Sequence, residues 1–229
     1  GNSNSRIGHL EISNSSDNVT LQGPVSISRI TSNGHKIKSD NASITNLTSF
    51  NDNLTISGNL WLDTKGSSNH TVLTIENLKS LTIEGDLVQS SGNFLAHGKL
   101  EVKGDYRIQK PFEEGYTFSN SILSMSQSTS YVLVHGDFVM DSSVSHLLKL
   151  TNGTLEIKGN FTQESRHSSS ATNNFRSMNS HKVLLSGNAK QTVSLEDLEI
   201  SSNSNSNINH LEISNSSDNV TLQGPVSIS

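Results

Sequence analysis

Apolar and polar positions alternate along much of this chain, break at a glycine, and resume. The unit is apolar–x–apolar–x–Gly–(Asn/Asp)–apolar–x–apolar. It reads NLTISGNLWLD at Asn53–Asp63, SLTIEGDLVQS at Ser80–Ser90 and KLEVKGDYRIQ at Lys99–Gln109. It recurs as YVLVHGDFVMD at Tyr131–Asp141, TLEIKGNFTQE at Thr154–Glu164 and KVLLSGNAKQT at Lys182–Thr192. NVTLQGPVSIS at Asn18–Ser28 carries Pro in place of Asn/Asp, and RITSNGHKIKS at Arg29–Ser39 fits loosely. Alternation of period two predicts half-buried strands, and Val, Ile, Leu, Tyr and Phe suit a pleated surface. Gly followed by Asn or Asp predicts a bend, because Gly tolerates φ > 0 and Asn/Asp side chains bond to nearby backbone.

The predicted corners are Gly23, Gly34, Gly58, Gly85, Gly104, Gly136, Gly159 and Gly187, with Asn59, Asp86, Asp105, Asp137, Asn160 and Asn188 beside them. Their mean spacing of about 25 residues suits one coil of a solenoid. Two-residue hairpins are the alternative, but the uneven spacing favours coils with loops of different length. No segment carries a sustained 3.6-residue period. Gln109–Ser130, Ser165–Ser180 and Ser201–Asn209 read as loops, the first a long excursion. The expected fold is all-β: a parallel β-solenoid, right-handed, with eight or nine coils per long repeat. At about 4.8 Å per coil, one long repeat advances roughly 40 Å.

The long repeat is visible directly. Asn2–Ser28 returns as Asn203–Ser229 with two differences, Arg6 against Asn207 and Gly8 against Asn209. Residues 1–201 are therefore read as one long repeat and 202–229 as the start of the next, a copy of 1–28. Capping elements, which solenoids use to block their end strands, are not recognisable, so the ends are expected to be uncapped. The expected assembly edge comprises Ser13, Asn18, Val19, Thr20, Leu21, Val25 and Ile27, with Leu211, Ile213, Val220, Leu222, Val226 and Ile228 in the copy.

Composition sharpens this picture. Apolar residues make up 31% and charged residues only 16%, with a net charge of −5. A chain so poor in both suits an architecture whose every layer buries a narrow apolar strip. Its abundant Asn, Ser and Thr suit hydrogen-bonded ladders along an axis. The charge gives no electrostatic case for nucleic acid, no segment is apolar enough to insert in a membrane, and the absence of cysteine rules out disulfides and thiolate metal sites.

Candidate chemistry is weak. Asp86, Asp105, Asp137 and Asp141 could supply convergent carboxylates for a polysaccharide-active enzyme, but Asn replaces Asp at the same motif position, which points to a turn role. A row of Asp could attract Ca²⁺, although no calcium-loop motif is present; no cofactor is expected. His9, His35, His70, His97, His135, His146, His167, His181 and His210 lack metal-ligand spacing and read mostly as solvent-facing. N-x-S/T sequons at Asn14, Asn18, Asn41, Asn46, Asn53, Asn69, Asn152 and Asn160, and again at Asn215 and Asn219, are possible glycosylation sites.

The segments LEVKGDYRIQ, YVLVHGDFVMD, TLEIKGNFTQ and HKVLLSGNAKQTVSLEDLEI resemble repeats of very large secreted surface proteins of Gram-positive bacteria and, more loosely, β-helical adhesins. The resemblance covers most of Asn53–Ser201. It implies export, a parallel β-helix and a surface or matrix role, and it transfers no catalytic residue. The resulting expectation is a non-enzymatic segment of an extracellular filament whose partner is itself. The alternatives are an adhesin shaft, binding glycan or matrix ligands through Lys110–Ser130 or Arg166–Ser180, and a polysaccharide-active enzyme.

Overall fold

The structure, a computed structural model, describes residues 6–7, 10–12, 18–21, 25–27, 30–32, 36–44, 53–63, 71–164, 167, 174–196, 206–217, 219–224, 226 and 228; before residue 53 it describes strand backbone alone. Gly23, Gly34, Ser13, Asn14, Asn46 and Asn69 lie outside the described residues. Among the described residues the protein is all-β with no helix, and its strands form three sheets of 18, 3 and 2 strands, none of them closed. Pairing is parallel except for one hairpin, Tyr106–Phe112 with Gly115–Phe118.

Two rows of parallel strands run through the large sheet. The first passes from Asn18–Leu21 to Lys36–Ser39, Leu54–Ile56 and Ser80–Ile83. It continues through Lys99–Val102, Tyr131–Val134, Thr154–Ile157 and Lys182–Leu185 to Leu211–Ile213. The second passes from Val25–Ile27 to Ala42–Ile44, Leu60–Leu62, Leu87–Gln89 and Tyr106–Ile108. It ends through Phe138–Met140, Phe161–Gln163 and Val193–Leu195 at Leu222–Gln223. The three-stranded sheet stacks Thr71–Ile75, Ser91–Ala96 and Asn120–Ser124, and single bridges Met125↔Leu150 and Leu150↔Ser177 extend its line.

Parallel register places like on like. In the first row Leu54, Leu81, Leu100, Val132, Leu155 and Val183 are mutually aligned and buried. In the second the aligned buried column is Leu60, Leu87, Tyr106, Phe138, Phe161 and Val193. In the three-stranded sheet Leu73, Phe94 and Leu123 align. Each such side chain contributes about 1.5–3 kcal/mol by leaving water. Columns of one or two side chains per strand account for a stable interior in a chain with so little apolar content.

The sequence reading requires correction in three places. The excursion expected over Gln109–Ser130 is mostly ordered sheet: only the hairpin tip around Phe112–Gly115 projects, and Asn120–Ser124 returns as a strand that buries Leu123. The stretch ending at Ser180 contributes Phe175, fully buried against Phe161 at 4.8 Å between ring centroids. His146 and His181 are fully buried rather than solvent-facing. In all three, Ser and Asn neighbours hide isolated apolar or ring side chains from an alternation test.

Candidate functional site

The Gly-Asx positions meet in one line. The Asp86 N–H donates to Asn59 Oδ1 at 2.7 Å, Asp105 N–H to Asp86 Oδ1 at 2.8 Å, and Asp137 N–H to Asp105 Oδ1 at 2.8 Å. Asn160 N–H then donates to Asp137 Oδ1 at 2.7 Å, and Thr192 N–H to Asn160 Oδ1 at 2.9 Å. Successive partners are 27, 19, 32, 23 and 32 residues apart, so chain spacing varies while spatial register holds. Asn and Asp interchange freely because both offer the accepting Oδ1. The bond is made to the next strand's backbone, not to the side chain's own turn.

Glycine is required here by proximity. Gly85 N–H donates to Gly58 O, Gly104 N–H to Gly85 O, Gly136 N–H to Gly104 O and Gly159 N–H to Gly136 O, each at 3.0 Å. Of these five glycines only Gly58 has positive φ, 108°, so the conformational reason given by the sequence is replaced by a steric one. A Cβ on Gly136 would sit 2.4 Å from Asp105 Oδ1 and 2.7 Å from the Gly104 carbonyl carbon and oxygen. Gly136→Ala is expected to destabilise the fold by about 3 kcal/mol, the upper end of overpacking costs. Gly115→Ala, with nothing within 4 Å, should stay within about 0.5 kcal/mol. Equal denaturation midpoints for the two variants would refute this account of the line.

Asn188 does not join the line. Thr192 is aligned with Asn160 through the Phe161↔Val193 pairing, while Asn188, Ala189 and Lys190 bulge outward and are exposed. Gln191 closes the gap: its Oε1 accepts Gly187 N–H at 2.9 Å, and its Nε2 donates to the carbonyls of Ile157 and Gly159. Further polar columns are buried. Ser142 Oγ donates to Ser121 O at 2.8 Å, and Ser121 Oγ donates to Gln89 O at 2.9 Å. The Tyr106 hydroxyl donates to Gln89 Oε1 at 2.7 Å, and burial raises its pKa.

The outer face of the first row is a charge mosaic centred on Glu101, which accepts from Lys99, Lys103 and His135. Burial opposes its charge, but Lys103, Lys99 and His135 overcome that and hold its carboxyl at about 2. Tyr131, donating to Glu156, is raised above its ordinary range by burial and by that carboxylate.

The candidate carboxylates are committed elsewhere. Asp86, Asp105 and Asp137 each spend Oδ1 on a backbone N–H, Asp105 Oδ2 pairs with Arg107 at 2.8 Å, and Asp141 is fully buried. Among the described residues no three His, Asp or Glu side chains are grouped to hold a metal ion, and no helix is long and apolar enough to cross a membrane. Of the sequons, Asn160 is engaged on both sides, its Nδ2 donating to Asp137 Oδ1 at 3.1 Å. Asn53 accepts from Ser80, Asn152 Nδ2 donates to Ser126 O, and Asn215 is buried. Asn18 and Asn41 lie in strands.

At the far end of the rows the apolar column reaches the surface. Leu211, Val220 and Val226 pack partly against the core, while Ile213, Leu222 and Ile228 are 52%, 45% and 50% exposed. Among the described residues Leu211–Ile213 and Val220–Gln223 pair on one side only, with Val183–Leu185 and Gln191–Ser194. No family model, curated protein or solved structure matches this chain.

Proposed function

We propose that this chain is a structural, non-enzymatic segment of an extracellular filament, built from β-solenoid coils stacked in tandem repeats of 201 residues. One coil would run from Lys99–Val102 through Tyr106–Ile108 and Asn120–Ser124 back to Tyr131–Val134, turning in the right-handed sense that parallel crossovers take. The observation that carries the reading is the unbroken Asx line beside aligned apolar columns, because a linear stack needs the same bond remade at each layer. Export rests on the composition and on the resemblance to secreted surface repeats. A shaft carrying ligand contacts is a second reading. It is favoured by the projecting hairpin, which exposes Phe112 and Tyr116 and sets Arg107 5.1 Å over the Tyr116 ring.

Electron microscopy tests the filament reading. The 229-residue chain is compared with the same chain extended by one further 201-residue unit. Particles of constant width that lengthen by roughly 40 Å per unit are expected. An added unit that forms a second compact lobe, or widens the particle, would refute it.

A further inference from the structure

The outer face of the second row carries aromatic rings of a kind that the interior elsewhere covers. Phe94, Tyr106, Phe138 and Phe161 are strand residues and fully buried. Trp61, the sole tryptophan, is also a strand residue, yet it points away from the side taken by the buried Leu60 and Leu62 and is 41% exposed. In parallel register Trp61 lies beside Val88, and Val88 beside Arg107. Arg107 stands over the ring of Tyr116, which is 37% exposed on the projecting hairpin. Trp61 and Arg107 are thus two strands apart, about 10 Å. The short, half-buried Val88 lies between them, so the strip is low in the middle and tall at both ends.

These side chains are fixed without being covered. The Trp61 indole N–H donates to Ser90 Oγ beyond the neighbouring strand, which lays the ring across the sheet. Arg107 donates to Asp105 Oδ2 at 2.8 Å and to Gln109 Oε1 at 3.5 Å, and so holds a set guanidinium against Tyr116. Rings fixed in advance lose little entropy when a ligand settles on them. Their exposed faces contribute nothing to the interior, because an aromatic ring stabilises a core through the area it buries.

We infer that this strip is a binding site for a neutral, β-linked polysaccharide that crosses the strands along the second row, with one sugar ring on Trp61 and another on Tyr116. The strand spacing of about 4.8 Å is close to the advance of one pyranose unit in an extended β-linked chain, so the sugars stay in step with the strands. Each sugar offers a C–H face to an aromatic ring and a rim of hydroxyls to polar neighbours. Arg107 supplies donors to that rim, and Asp63 and Asp105 supply acceptors. Asp63, Asp105, Glu113 and Glu114 outweigh Arg107 and Lys110 around the strip, which disfavours a uronic-acid chain. A straight row also disfavours coiled, α-linked glucans. A protein partner fits less well, because charged side chains separate the rings and a protein interface needs an apolar centre depleted of charge. This inference rests on the reading of the chain as a ligand-carrying shaft, and it names the ligand class and the site.

The sole tryptophan makes the site its own reporter. Cellohexaose titrated into the full chain should move Trp61 emission to shorter wavelength along a saturating curve. Hydroxyethylcellulose cast into a native gel should retard the chain, and polygalacturonate should not. Trp61→Ala and Tyr116→Ala should each weaken the retardation about tenfold or more, the scale of an aromatic hot spot. Trp61→Tyr keeps a stacking ring and should keep most of the retardation, which separates stacking from damage to the fold. Phe112→Ala, on the face of the hairpin opposite Tyr116, should leave it unchanged. Retardation that Trp61→Ala spares and Phe112→Ala abolishes would overturn this site and leave the shaft reading standing, as would retardation by polygalacturonate alone. A chain that neither polysaccharide retards, with Trp61 emission unmoved by cellohexaose, would overturn both.

Discussion

Phe138→Ala should destabilise this protein by about 4 kcal/mol, the range for truncating a buried phenylalanine. Phe138 is fully buried, and its ring stands edge-on to Tyr106 at 5.4 Å, Phe161 at 5.5 Å and Phe175 at 6.4 Å. Tyr106 and Phe161 are its register partners on either side, and Phe175 enters from outside the large sheet. Removal of the ring therefore opens a cavity bounded by three aromatics. Its main-chain bonds fix those strands in position, so the gap cannot readily collapse. The edge-to-face pairs add roughly 0.5–1.5 kcal/mol each beyond area burial. Phe112→Ala is the comparison: at 57% exposure on the hairpin tip, it should move stability by no more than about 0.5 kcal/mol. Urea denaturation with unchanged slope separates the two. A Phe138→Ala chain as stable as Phe112→Ala would show that the second row's aromatic column is not a packed core.

The strands of this fold were legible where the pattern was strict. Each strand–glycine–strand unit from Leu54 to Thr192 lies in the two rows, because alternation with β-branched residues has few other ways to bury one face. The third line of strands was not legible. Ser91–Ala96 and Asn120–Ser124 bury Phe94 and Leu123 among Ser, Gly and Asn, whose own burial is offset by hydrogen bonds such as Ser121 Oγ to Gln89 O. Hydropathy has no access to that satisfaction. For the Asx line, the sequence supplied the residues but the wrong reason. Local turn chemistry and a bond to the next layer both call for Gly-Asn or Gly-Asp, and only register separates them. Asn188 shows the limit, since four inserted residues move Thr192 into the place its motif position implied for it.

Acid should weaken the fold well above the ordinary carboxylate range. His146 and His181 are fully buried, and burial is the leading cause that lowers both rings from 6.5 to about 4. The geometry agrees for His146: its Nε2 accepts the Leu123 N–H at 3.0 Å, so a proton there would break a bond that holds a strand of the three-stranded sheet. His181 lies against Phe175 at 6.2 Å, and neither ring nitrogen has a hydrogen-bond partner to favour a second proton. Between 6.5 and 4 the unfolded chain binds more protons than the folded one. Stability is thus fully present above 6.5 and is lost as pH falls toward 4. From pH 7.5 to pH 5 the loss is about 2 kcal/mol per ring, about 4 kcal/mol for the two together. Glu101, held at about 2 in the folded chain against 4.5 unfolded, also stabilises above its unfolded value, and its share is lost only as pH falls below about 4.5. It therefore does not contribute to the drop between 7.5 and 5. Urea midpoints at the two pH values, for the native chain and for His181→Leu and His146→Gln, check the assignment. Glutamine keeps an acceptor for the Leu123 N–H, and leucine fills an apolar site. Each variant should remove about half of the pH dependence; an unchanged drop in both would place the acid sensitivity elsewhere in the molecule.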